Sequence, residues 1–166
     1  MTRREALALL AVPKVPRRSP ELAVARGGAQ VLLSEYRGKV VLVAFLVTRC
    51  KICPRAVETL SALQKEYAPR GFQALGTLID EMAETLIGDF LVRHRPRFPL
   101  GHTRADSARE YLAWPPGRPV AVPVFVFVDR KGTIQAQHDG SGPFFREDLK
   151  NARAVVERLL TTATAR

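Results

Sequence analysis

Lys39-Val40-Val41-Leu42-Val43-Ala44-Phe45-Leu46-Val47 is apolar at eight of nine positions, on both faces of any extended segment it forms. A strand with one wet face would alternate, so this pattern predicts a central strand over Val40–Val47, covered on both sides. After it, Val57, Leu60, Ala62, Leu63 and Tyr67 recur at helical intervals, predicting a helix from about Cys53 to Ala68 that stops at Pro69-Arg70-Gly71. Phe72 to Ile79 alternates as a second strand, ending at Asp80. Strand, helix and strand of these lengths form a βαβ unit, whose crossover is right-handed and whose strands are parallel.

The flanking patterns add elements on both sides. Upstream, Pro20–Val24 and Gln30–Leu33 are short apolar runs separated by Arg26-Gly27-Gly28-Ala29, the signature of a tight hairpin. Ser34 is placed to cap one helical turn through Tyr36, with Gly38 ending it. Downstream, Glu81–His94 reads as an amphipathic helix with Met82, Leu86, Phe90 and Leu91 on its apolar side, and Ser107–Trp114 as a short helix. Val120–Val128 reads as a further buried strand, Asp129–Gly132 as a hairpin turn and Thr133–His138 as the return strand. A last helix from Phe145 to about Thr162 buries Leu149, Ala152, Val156, Leu159 and Leu160. Pro123 interrupts the Val120–Val128 run, and because proline cannot donate to a ladder it belongs at the strand's entrance, a position where a cis peptide forms.

The 166 residues suit one domain with a sizeable core, and 46% apolar with 25% charged residues is an ordinary globular balance. No apolar run reaches the roughly 20 residues needed to span a bilayer. The net charge of +10 comes from scattered basic residues without an aromatic-interleaved run, which describes a solvated arginine-rich surface and excludes nucleic-acid binding as the main activity. Residues 1–17 stand apart as an N-terminal tail, with residues 18–162 forming the domain. Thr2-Arg3-Arg4 followed by apolar Ala6–Val12 resembles the front of a twin-arginine export signal, though the apolar stretch is short and no Ala-x-Ala site follows; as a signal it implies an extracytoplasmic location, otherwise a cytoplasmic one. A short helix lying on the domain is the other reading of the same residues.

The only two cysteines, Cys50 and Cys53, are spaced C-x-x-C between the first strand and its helix, at the carboxyl edge of a parallel sheet where sites usually form. Thiol–disulfide chemistry needs a thiolate, and cationic neighbours or a helix N-terminus favour one. Arg49 and Lys51 flank Cys50, Arg55 lies one turn on, and no acid interrupts the motif. Pro54 suits the first helical position, which makes Cys53 the cap; a helix starting at Cys50 has an irregular first turn instead. His94, His102 and His138 lack ligand spacing, so neither a metal nor another cofactor is expected. Trp114, between prolines, reads as a packing residue.

Taken together, these residues resemble the thioredoxin-like superfamily, and within it the redoxin group that includes TlpA-like thiol–disulfide oxidoreductases. Tyr36–Val43 is similar to that group's lead-in strand, Cys50-Lys51-Ile52-Cys53 to its redox motif, Val122-Pro123 to its cis-proline, and Val128–Gly132 to the hairpin that follows. The resemblance covers roughly residues 18–160. It implies an α/β thioredoxin-like fold: a central mixed sheet flanked by helices, here with an N-terminal β-hairpin extension. It implies Cys50 as the exposed nucleophile, Cys53 as the resolving thiol, and Pro123 as a wall of the substrate groove. Its substrates would be protein thiols and disulfides, with a redox partner protein, and the protein itself is expected to be a monomer. Arg49 stands where an aromatic residue often precedes the first cysteine, and Ala44 and Ala56 stand where a buried acid often lies, with Glu58 the nearest carboxylate in sequence.

Two further functions compete. A peroxiredoxin shares the fold, but its P-x-x-x-T-x-x-C pattern finds Val47 and Val43 counting back from Cys50, and Cys50 and Leu46 counting back from Cys53. A non-catalytic thioredoxin-fold module could instead hold an acidic partner on the basic surface.

Overall fold

All seven residues of Val40–Leu46 are buried, and this strand is hydrogen-bonded on both edges. The computed structural model describes residues 1–4, 6 and 13–164. The apolar part of the export-signal reading, residues 7–12, therefore lies outside the described residues. In chain order the sheet strands are β1 (Arg17–Arg18), β2 (Ala23–Arg26), β3 (Ala29–Leu32), β4 (Val40–Leu46), β5 (Phe72–Leu78), β6 (Leu100–His102), β7 (Val124–Val128) and β8 (Thr133–His138). The helices are α1 (Cys53–Tyr67), α2 (Ala83–His94), α3 (Ala105–Tyr111) and α4 (Asp148–Thr164). The strands form one mixed sheet in the order β1-β8-β7-β4-β5-β6-β2-β3, with β4, β5 and β6 parallel and the other pairings antiparallel. This is the expected thioredoxin-like architecture with its N-terminal hairpin.

Alternation along the central strands divides the core into two layers. Val40, Leu42, Ala44 and Leu46 of β4, with Phe125 and Phe127 of β7, face α1, α2 and α4. Val41, Val43, Phe45, Val124, Val126 and Val128 face α3, Trp114 and the N-terminal hairpin. Both layers are dry, which is why no polar alternation shows in these strands. Truncating a fully buried side chain such as Leu42 is expected to cost about 2–5 kcal/mol, from lost transfer energy plus the cavity left behind.

The hairpin closes as the glycine pair requires, with Gly27 and Gly28 at φ 58° and 80°, a combination that side-chain-bearing residues rarely adopt.

Several boundaries move. The turn before β4 is a 3-10 helix over Leu33–Tyr36, with Leu32 in the capping position and its N–H donating to the Glu35 carboxylate at 3.3 Å, so Ser34 lies inside the turn rather than capping it. On α2 the expected Phe90 and Leu91 do face the core, joined by Ala83 and Ile87, but Met82 caps the helix and is 46% exposed. The 120–128 run enters the ladder only at Val124, because Pro123 has no donor. Trp114 lies beyond α3, which ends at Tyr111, and the final helix starts at Asp148 after a 3-10 turn over Pro143–Glu147. Strand β6, with Gly101 at its centre, carries no readable alternation. At the other edge Arg17 pairs with Ile134, so the sheet reaches one residue into the segment set apart as a tail.

Candidate active site

The cysteines sit where β4 leaves the sheet. After Leu46 the chain runs through a six-residue connection into α1, which begins at Cys53 with Ile52 as its cap and Pro54 in its first turn. The helix thus starts one residue ahead of the position expected from Pro54, and the first turn stays regular. Amide groups in the first turn have no partner inside the helix, so proline sacrifices nothing there. Ile52 offers no capping side chain; instead the Cys53 N–H donates to Cys50 Sγ at 3.2 Å. Cys50 and Cys53 are joined as a disulfide with their Cα atoms 5.3 Å apart. The two sulfurs are unequal: Cys53 is completely buried, while Cys50 is half-buried on the edge of the core.

The three cations nominated from sequence divide. Arg49 and Lys51 are exposed, and neither forms an ion pair among the described residues. Arg55 is engaged elsewhere. Its Nε and Nη2 donate to Asp148 Oδ1 at 3.0 and 2.9 Å, and Nη2 also reaches the carbonyls of Phe145 and Arg146 at 3.2 and 3.0 Å. Asp148 is 4% exposed and accepts a further bond from the Thr59 hydroxyl at 3.1 Å. Arg55 therefore clamps α1 to the start of α4, and its charge is compensated by a buried carboxylate.

A second carboxylate was missed by the sequence reading. Asp80, at the carboxyl end of β5, accepts the Thr48 N–H at 3.0 Å and the Thr48 hydroxyl at 2.6 Å. It thereby holds the segment that leads into Cys50. The available signal was an acid ending the strand parallel to β4, a place the βαβ unit puts beside the motif. No comparable signal marked Asp148, which lies some ninety positions from its partners. Ala44 and Ala56 are buried and Glu58 is exposed, so none of these places an acid beneath the cysteines.

Opposite the motif, the Val122–Pro123 peptide is cis and Pro123 is buried. The β4–β7 register pairs Phe45 with Val124, and one further step sets Pro123 beside Leu46, where β4 departs toward Cys50. The Ala121–Pro123 segment is backed by the turn after β8: the Gly140 N–H donates to the Ala121 carbonyl at 2.7 Å, and a Cβ at Gly140 would lie 2.5 Å from the Val122 oxygen. The same end of the molecule contains His138, stacked on Phe144 with ring centroids 4.2 Å apart, its pKa lowered by burial. Trp114 is 7% exposed, donates to the Arg118 carbonyl at 3.1 Å and packs as expected. Among the described residues no three metal-ligating side chains gather.

Comparison with known proteins places this geometry. The AhpC/TSA family pattern matches residues 15–137. Thioredoxin-like protein YneN of Bacillus subtilis is 28% identical over 115 residues, an alignment covering 69% of this chain and 64% of YneN. Among solved structures, a thiol:disulfide interchange protein of the thioredoxin family from Chlorobium tepidum TLS superposes with a TM-score of 0.72 at 19% identity, covering 89% of this chain and 99% of that one. A thiol:disulfide interchange protein from Bacteroides sp. gives 0.70 at 18% identity, covering 91% and 93%. At such identities the structural likeness is one of fold.

Proposed function

The chain belongs to the AhpC/TSA family, and from that membership together with the Cys50–Cys53 disulfide we propose that it is a thiol–disulfide oxidoreductase acting on proteins. One observation carries the reading: two sulfurs at bonding position, one reachable and the other buried beneath it at the start of a helix. In the reduced protein Cys50 attacks as a thiolate. It breaks a substrate S–S bond, forms a mixed disulfide, and the departing sulfur takes a proton from solvent. Cys53, having lost its own proton, then attacks Cys50 Sγ, expels the second substrate thiolate and closes the Cys50–Cys53 bond. The substrate gains two electrons and the protein loses two; a redox partner reverses this, or the whole sequence runs backward to oxidise dithiols.

The Cys53 N–H aimed at Cys50 Sγ, together with the positive end of α1, supplies fixed partial charge for a thiolate at Cys50. Arg49 and Lys51 add mobile, solvated charge. Arg55 acts on α4 instead, so two cations rather than three remain to favour the thiolate. Pro123, at the edge where β4 departs, lines the place where an extended substrate lies beside Cys50. The peroxidase reading lacks its hydroxyl, since Val47 and Val43 occupy the threonine and proline positions counted from Cys50, and Cys50 and Leu46 those counted from Cys53.

The test is turnover of a protein disulfide and of hydrogen peroxide by the wild type, Cys50→Ser and Cys53→Ser. Exchange is expected to fall to background in Cys50→Ser, and Cys53→Ser is expected to accumulate the mixed disulfide. Full exchange by Cys50→Ser sinks the mechanism, and rapid peroxide consumption by the wild type moves the protein to the peroxidase class.

A further inference from the structure

Beside the redox motif, Thr48, Arg49, Leu86, Asp89, Phe90, Arg93 and His94 line a cleft of about 180 Å³ between the Cys50 approach and α2. That volume holds roughly six waters at liquid density, the scale of one side chain rather than a packed element. Its floor is apolar, formed by buried Phe90 and half-buried Leu86. Its walls carry two arginines, Arg49 and Arg93, which are exposed and form no ion pair among the described residues. Like most arginines of this basic chain they lack a carboxylate partner, and what sets them apart is their place in one cleft beside Cys50. Asp89 offsets part of their charge, and His94, tilted against Phe90 with ring centroids 4.5 Å apart, has its pKa lowered by burial and by Arg93, with Glu58 opposing.

We propose that this cleft is a specificity subsite that takes the acidic side chain of a substrate polypeptide lying next to the cysteine under attack. The inference rests on the exchange function proposed above. Arg49 immediately precedes Cys50, so a carboxylate seated between Arg49 and Arg93 belongs to a residue within a few positions of the substrate cysteine. The apolar floor takes the methylenes of a glutamate, and the two guanidinium groups offer planar donors to its oxygens. Selection of acidic sequences thus comes from the β5 side of β4, whereas Pro123 stands on its β7 side.

The test uses two disulfide peptides that differ only in a Glu or Gln two residues from the cysteine, with kcat and KM measured at low ionic strength for wild type and Arg93→Gln. The wild type is expected to favour the Glu peptide by about five-fold in kcat/KM, the scale of one well-formed exposed ion pair, chiefly through KM. Arg93→Gln is expected to bring that ratio near one while its rate with the Gln peptide and the pH dependence of Cys50 alkylation stay unchanged. Equal rates for the two wild-type reactions, or a full Glu preference retained in Arg93→Gln, overturn the subsite while leaving the exchange function intact. A wild type that turns over neither peptide nor any protein disulfide removes the function and the subsite together.

Discussion

Each end of the central sheet is tied by an arginine, and the two ties differ in kind. At the amino end of β4, Arg130 donates from Nη1 to the Gly38 carbonyl at 3.1 Å and from Nη2 to the Arg70 carbonyl at 2.9 Å. Its guanidinium lies over Gly71, whose φ of 87° and missing Cβ make room for it; a Cβ there would meet Nη1 at 2.5 Å. At the carboxyl end, Arg55 bonds carbonyls too, but its main partner is the buried Asp148. One arginine holds loops through neutral acceptors that water could serve instead. The other forms an ion pair with a carboxylate that is itself buried. The difference teaches that a basic residue near a reactive thiol need not serve the thiol, because burial of a single acid decides where the charge is used.

The largest expected effect tests that contrast directly. Arg55→Ala leaves Asp148 buried and unpaired and should cost about 3 kcal/mol of unfolding free energy, at the low end for a broken buried pair because Arg55 itself is half-exposed. Urea denaturation measures it, and a loss no greater than that of Arg130→Ala breaks the comparison. Arg130→Ala itself should cost about 1–2 kcal/mol, since the freed carbonyls regain water. A double-mutant cycle sharpens this: Gly71→Ala should be less harmful in the Arg130→Ala background, where the contact is relieved and only the left-handed backbone strain remains.

The third prediction concerns pH. His138 is held below its ordinary pKa by burial against Phe144, with Asp139 opposing and Arg158 reinforcing the shift. The unfolded chain therefore binds the proton more readily, so this group's contribution is complete above about pH 6.5 and is lost as pH falls through the lower folded value. Thermal unfolding of wild type and His138→Phe across pH 7.5 to 5 should show a shallower acid loss in the variant; parallel curves refute the assignment. The smallest effect separates the ends chemically. Lys51→Gln should raise the pH midpoint of Cys50 alkylation in the reduced protein by a fraction of a unit, while Arg130→Ala should leave it in place.

Much of the fold was legible because its elements are strongly patterned. The doubly apolar β4, the helical spacing from Val57 to Tyr67 and the Gly27-Gly28 turn each specify local geometry without help from distant residues. What failed was weakly patterned. Strand β6 has three residues with a central glycine and exists through its pairing with β5 and β2. The first turn of α2 was misassigned by one position because Met82 and Ala83 both fit a helical stripe that continues to Phe90 and Leu91, and only the surface below chooses between them. At the site, Cys50, Cys53 and Pro123 were identifiable from spacing and context, whereas Asp80 and Asp148 were not.

By itself, then, the sequence determined the strongly patterned strands and helices and that two thiols stand at a sheet edge, because periodicity and turn residues act over a few positions. Tertiary structure alone decided what each charge does there. It set Arg55 against Asp148 across 93 residues of chain, gave Asp80 to Thr48, and left Arg49 and Lys51 to the solvent around Cys50. Electrostatic roles depend on distance and burial, and neither is a property of neighbours along the chain.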